Sequence, residues 1–152
     1  MARVYLKGLP QLKRKLEKIA TNSRFETRKT MANAADLVVA EISSRAPWAH
    51  LKNAVGWTFG VPPKYAQFVT RVKAGEEQIT IFVGNIKVRT AYWAEYGTQP
   101  HPIGGLFEGL GKMHPGTPAQ PFFFPGWRAK RNVVRKMLRD EFKRAVLTVA
   151  KR

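Results

Sequence analysis

The chain contains no cysteine in 152 residues, so disulfides and thiolate metal sites are excluded from the start. Histidine is scarce too: His50, His101 and His114 share no ligand spacing. A His101–His114 pair with Glu108 is the nearest approach to a metal set, and its spacing is poor, so neither a metal nor a cofactor is expected. Acidic residues number 10 against 27 Lys and Arg. No apolar run approaches the roughly 20 residues that span a bilayer, and no membrane association is expected. The opening stretch Met1–Lys7 is broken at once by Arg3, so no secretion segment is expected there. The glycine pairs Gly104-Gly105 and Gly109-Gly111 lack the Lys-Ser/Thr of a phosphate loop. Ser43 and Ser44 lie in a helical pattern with no general base nearby, which suits a cap or surface role. No catalytic residue emerges, and the expectation is a protein that is not an enzyme.

What is present is enough for one core: 44% hydrophobic and 11% aromatic residues, in a length that suits a single domain. The net charge is +17. Residues 1–30 contribute +7 and residues 126–152 contribute +8, so the charge belongs to the two ends. Such ends meet nucleic acid, an acidic partner or solvent.

Leu9, Leu12, Leu16 and Ile19 recur at helical spacing, with Pro10 suited to a first turn. Ser23-Arg24-Phe25-Glu26 has the pattern of a capping box and predicts the start of a second helix. That helix continues through Met31, Ala34 or Ala35, Val38 and Ile42 and ends near Arg45-Ala46, before Pro47. The period then changes to two. Val55, Trp57, Phe59 and Val61 share one face of a strand, and residues 66–73 and 78–84 are further strands joined by Ala74-Gly75-Glu76-Glu77. Ile79, Ile81 and Val83 share a face, and an antiparallel meander is the expected arrangement. Residues 91–96 read as a helical turn closed by left-handed Gly97. A Gly/Pro-rich loop follows at 98–120, functional or mobile by its length. Val134, Leu138, Phe142, Ala145 and Val149 mark a long C-terminal helix, whose entry Pro121 and Pro125 stiffen. The expected fold is α+β, one domain over 1–152: two N-terminal helices and a long C-terminal helix packed on a small antiparallel sheet.

Two stretches carry more than periodicity. One is Ala91-Tyr92-Trp93-Ala94-Glu95-Tyr96-Gly97-Thr98, followed by Gln99-Pro100-His101-Pro102-Ile103. The other is His114-Pro115-Gly116-Thr117-Pro118-Ala119-Gln120-Pro121-Phe122, which leads into the last helix. Gly8-Leu9 and Arg45-Ala46-Pro47 add flanking positions, so the likeness spans nearly the whole chain. Together they resemble the gp-ten-like tail-component family of lambdoid phages, the neck or tail-completion proteins. The resemblance implies a structural virion protein at the head–tail junction, made in the host bacterial cytoplasm. It implies a homo-oligomeric, six-fold (hexameric) ring between head-closure or connector proteins and the tail terminator or tube. Family-motif positions fall on Glu95, Tyr96, Gly97 and Thr98, and on His114, Pro115, Gly116, Pro121 and Phe122.

Trp93, Phe122, Phe123 and Phe124 are candidates for the subunit interface, because interface cores favour aromatic side chains. Consecutive phenylalanines cannot all face one way, so these are expected to divide between core and interface. Lys13, Arg14, Lys15, Lys18, Arg131, Arg135, Arg139 and Lys143 are candidate contacts to packaged DNA or to acidic neighbours. The competing reading is a basic, non-sequence-specific nucleic-acid-binding protein or a small RNA-cleaving toxin, with Tyr92, Trp93 and Tyr96 stacking bases.

Overall fold

The computed structural model describes residues 8–103 and 111–150. In chain order the elements are α1 (Leu9–Arg45), α2 (Ala49–Lys52), β1 (Val55–Phe59), β2 (Phe68–Ala74) and β3 (Glu77–Val83). They continue with α3 (Ala91–Tyr96), β4 (His101–Pro102), β5 (Met113–His114) and α4 (Phe123–Ala150). The α+β class and the long C-terminal helix are as the sequence predicts.

Two expectations are corrected here. The predicted pair of N-terminal helices is one helix of 37 residues. No glycine or proline lies between residues 11 and 46 to break it. Thr21 satisfies its hydroxyl inside the helix, donating to the carbonyl of Glu17 four residues back at 2.9 Å. A capping-box pattern starts a helix only where the backbone has left the preceding one. The C-terminus falls as expected: Arg45 is the last helical residue, and Ala46 is extended (ψ 128°) before Pro47.

The second correction concerns the strand order, which is β1-β3-β2 and not a meander. Val55, Trp57 and Phe59 pair with Val83, Ile81 and Ile79, and this apolar match draws β3 to the centre. The β2 strand, carrying Arg71 and Lys73, is left at an edge, where charged residues are tolerated. The first strand also stops at Phe59, so Val61 lies beyond it, exposed.

The helices cover one face of this sheet. Met31, Ala34 and Ala35 of α1 meet Val134 and Leu138 of α4 over Val72, Ile79 and Ile81. Val38, Ile42, Leu51, Phe122 and Phe123 complete a buried cluster. The two long helices run antiparallel: a Cβ on Gly126 would lie 2.9 Å from Ile42, and Lys130 pairs with Glu41 at 3.3 Å. Burial stops partway along both. Leu9, Leu12 and Leu16 remain 57%, 54% and 54% exposed, and Phe142 and Leu147 on α4 remain 63% and 59% exposed. Of the stripes expected on these helices, Met31, Ala34, Ala35, Val38, Ile42 and Val134 are covered, whereas Leu9, Leu12, Leu16 and Phe142 are not.

Candidate assembly site: the 91–98 turn joined to the 114–124 segment

The two motif stretches, separate in sequence, form one unit. Thr98 N–H donates to the carbonyl of Thr117 at 2.9 Å, and Thr117 N–H returns the bond at 3.2 Å. The hydroxyl oxygen of Thr98 also accepts from Thr117 N–H at 2.9 Å. Gln120 N–H donates to the carbonyl of Ala94 at 2.7 Å. Glycines permit this closeness. A Cβ on Gly97 would stand 2.5 Å from the Thr117 carbonyl oxygen and 2.8 Å from the Ala119 nitrogen. A Cβ on Gly116 would collide with the carbonyl oxygen of Thr98. Gly97 does have positive φ (73°), but its ψ of −177° is not the left-handed helical value expected. It occupies an extended mirror-image region open essentially to glycine alone.

Glu95 is the centre of the unit. Its side chain is buried, with the residue 4% exposed. Oε2 accepts from the backbone N–H groups of Phe122 at 2.8 Å and Phe123 at 2.9 Å, and Oε1 accepts from Phe124 at 3.3 Å. A helix start has N–H groups without intrahelical acceptors, and a carboxylate there also opposes the positive end of the helix dipole. The sequence just before α4, Gln120-Pro121-Phe122, offers no Ser, Thr, Asp or Asn for this purpose. The cap comes instead from α3, 27 residues upstream. Gln67 fastens α3 in the same manner, accepting from Ala91 N–H at 2.9 Å and donating to the Arg89 carbonyl at 2.6 Å. Sequence reasoning missed Gln67, a lone polar side chain just before β2 that belongs to no motif.

The interface candidates divide. Phe122 and Phe123 are fully buried, so their expected availability to a neighbouring subunit is corrected: the Glu95 cap turns both into the core. Phe124 is half-buried against Phe68, with ring centroids 5.3 Å apart. Trp93 is exposed, as are Tyr92 and Tyr96, and the two tyrosines lie against each other at 4.9 Å. Three exposed aromatics thus line the outer side of α3. Pro115 and Pro121 lie in the joined segment without a regular element.

The 98–120 loop is tied at its base. His101 and Pro102 pair with His114 and Met113, which brings the two imidazoles into a stack at 5.1 Å. His101 Nδ1 donates to the Gln99 carbonyl at 2.9 Å, and His114 Nδ1 accepts from Gly116 N–H at 3.0 Å. His50 is elsewhere, beside the Thr90 hydroxyl at 2.8 Å. Glu108 and the glycines between 104 and 109 lie outside the described residues. Among the described residues, no group of three or more His, Cys, Asp or Glu side chains could hold a metal ion.

The basic candidates occupy two places. Lys13, Arg14, Lys15 and Lys18 are exposed on the uncovered half of α1. Arg131, Arg135, Arg139 and Lys143 are also exposed, and their spacing of four aligns them in a slowly turning row along α4. Among the described residues none of these cations forms an ion pair. Arg135 and Arg139 share a groove with Arg71 and Lys73 of β2, two cations that the sequence reading did not single out. Glu41 is held below its ordinary range. Its hydrogen bond from Arg45 is the main cause and that from Lys130 the second.

No helix among the described residues is long and apolar enough to cross a membrane. Compared with protein-family models, curated proteins and solved structures, the chain matches none.

Proposed function

We propose that this chain is a structural subunit of a tailed-phage head–tail junction, assembling as a ring that joins head-closure proteins to the tail. The reading rests on the motif resemblance, and one observation supports it most. The stretches that carry the resemblance are spent on architecture: Glu95, Gly97 and Gly116 bind the 91–98 turn to the start of α4. Residues so employed suit a scaffold. The subunit also leaves large apolar side chains uncovered: Leu9, Leu12 and Leu16 at helical spacing along α1, and Phe142 and Leu147 on α4. Exposed apolar surface of this kind marks an interaction site. A ring needs two different patches per subunit, and the α3 aromatics and the α1 leucines would supply them.

The test is oligomeric state. Sedimentation velocity and negative-stain images of the purified protein, and of virions, should show a closed ring. The double substitution L12S/L16S should leave the fold intact, since both side chains are already exposed, while abolishing ring formation. A strictly monomeric wild-type protein that neither forms rings nor enters virions would sink the reading. A second reading, sequence-blind nucleic-acid binding, draws on the unpaired cations of α1 and α4. It requires duplex affinity that falls steeply with salt.

A further inference from the structure

The basic groove beside β2 has a property that positive charge alone does not explain. Gly84 N–H donates to the Ala54 carbonyl at 3.1 Å, and Gly60 N–H donates to the Gln78 carbonyl at 2.8 Å. Even-numbered residues of β3 therefore direct their main-chain groups at β1, and odd-numbered ones direct theirs at β2. In the observed register, Phe68, Thr70, Val72 and Ala74 lie opposite those odd positions and turn inward. Val69, Arg71 and Lys73 then present N–H and C=O outward along a sheet edge. Among the described residues nothing hydrogen-bonds to those outward groups. The edge opens onto a groove of roughly 390 Å³, walled by Arg71 and Lys73 on one side and by Trp127, Val134, Arg135 and Arg139 on the other. Its four cations have no ion-pair partner among the described residues.

We infer that this groove receives an extended acidic segment of another protein, which adds as a strand to β2. Main-chain groups of the segment would pair with Val69, Arg71 and Lys73; carboxylates on its helix-facing side would meet Arg135 and Arg139, and those on its other side Arg71 and Lys73. The pattern of the edge favours polypeptide over nucleic acid. A strand edge alternates donors and acceptors, whereas a phosphodiester backbone brings acceptors only and leaves the outward carbonyls unmatched. A second copy of this chain fits less well, because it carries 10 acidic residues against 27 basic ones. The inference is independent of the ring reading, since it uses only the edge and its charges.

The experiment uses the full chain and a labelled synthetic peptide of Glu-Glu-Thr repeats, which carries carboxylates on both faces of a strand, titrated by fluorescence anisotropy at low and high salt. Saturable, salt-weakened binding is expected. The pair R71Q/R139Q should weaken it by about tenfold or more through lost charge. Val69→Pro should weaken it by a similar factor with every charge in place. That residue's N–H points away from β3, where proline is tolerated. The same peptide N-methylated at alternate residues keeps its charge and should bind about tenfold more weakly to the unmodified protein. Amide exchange at Val69, Arg71 and Lys73 should slow when the unmethylated peptide binds. Equal affinity for the methylated peptide would overturn strand addition even if Val69→Pro failed to fold. Unchanged exchange at those amides would overturn it too. So would duplex DNA that displaces the peptide at equal charge concentration.

Discussion

The two halves of the α1–α4 pair carry the same kind of sequence and meet opposite fates. From Met31 to Ile42 on α1 and at Val134 on α4, apolar residues at helical spacing are buried on the sheet. Leu9, Leu12 and Leu16, of the same type at the same spacing, are exposed, and so is Phe142 further along α4. A hydrophobic stripe states that a helix wants a partner; it does not say whether that partner lies in the same chain. What separates the halves is the sheet, with seven residues in each of its two longer strands, too short to reach under a helix of 37. The covered half fixes the fold, and the uncovered half is the surface that the proposed assembly would use.

The sharpest way to test this contrast is to make one substitution in each half. Phe123→Ala, at the buried end, should cost about 3–5 kcal/mol in denaturant unfolding, because its ring has no exposed surface and the Glu95 cap holds the backbone in place. Phe142→Ala, on the same helix at the projecting end, should change stability by no more than about 0.5 kcal/mol. Similar losses at both sites would mean that the projecting half is packed in the isolated subunit, and the division drawn here would fail.

A smaller effect is expected at the cap itself. Glu95→Gln keeps the size of the side chain but exchanges one acceptor oxygen for a donor amide facing backbone N–H groups. The expected loss is about 1–3 kcal/mol. Hydrogen exchange should accelerate first at the amides of Phe122, Phe123 and Phe124, before the rest of the core. An unaltered exchange pattern would show that α4 starts stably without this carboxylate.

How much of this could be read from the sequence follows from the range of each interaction. The end of α1 at Arg45, the short α3 and the shared face of Val55, Trp57 and Phe59 are local consequences of Pro47, Gly97 and alternation, and they stand where expected. The joining of α1 across Ser23 was misjudged because a cap and a helix interior can share one local pattern. The strand order was misjudged because pairing of β1 with β3 depends on matched apolar faces 20 or more residues apart. Glu95 was singled out as a motif residue, but its task was not legible. Its partners are backbone groups, which carry no residue-type signal. The same holds for the β2 groove, where Arg71 and Lys73 become notable only once α4 brings Arg135 and Arg139 beside them.

The smallest expected effect tests whether charge, as well as packing, distinguishes the covered end. Glu41 of α1 accepts from Arg45 at 2.7 Å and pairs with Lys130 of α4 at 3.3 Å. The Arg45 hydrogen bond, then that from Lys130, holds its folded-state pKa below the ordinary value of 4.5. A carboxylate lowered in the folded state contributes stability above its unfolded pKa. That contribution is lost as pH falls through the folded value, because the unfolded chain then takes up the proton first. Glu41→Gln should therefore be slightly less stable than the parent at about pH 7, with the gap narrowing as acid protonates the parent's Glu41. Unfolding in urea across that range measures the gap directly. If the Glu41 gap stays constant with pH, the Lys130–Glu41 pair does not tie the helices electrostatically. The covered end would then be held by its apolar contacts and the Glu95 cap alone.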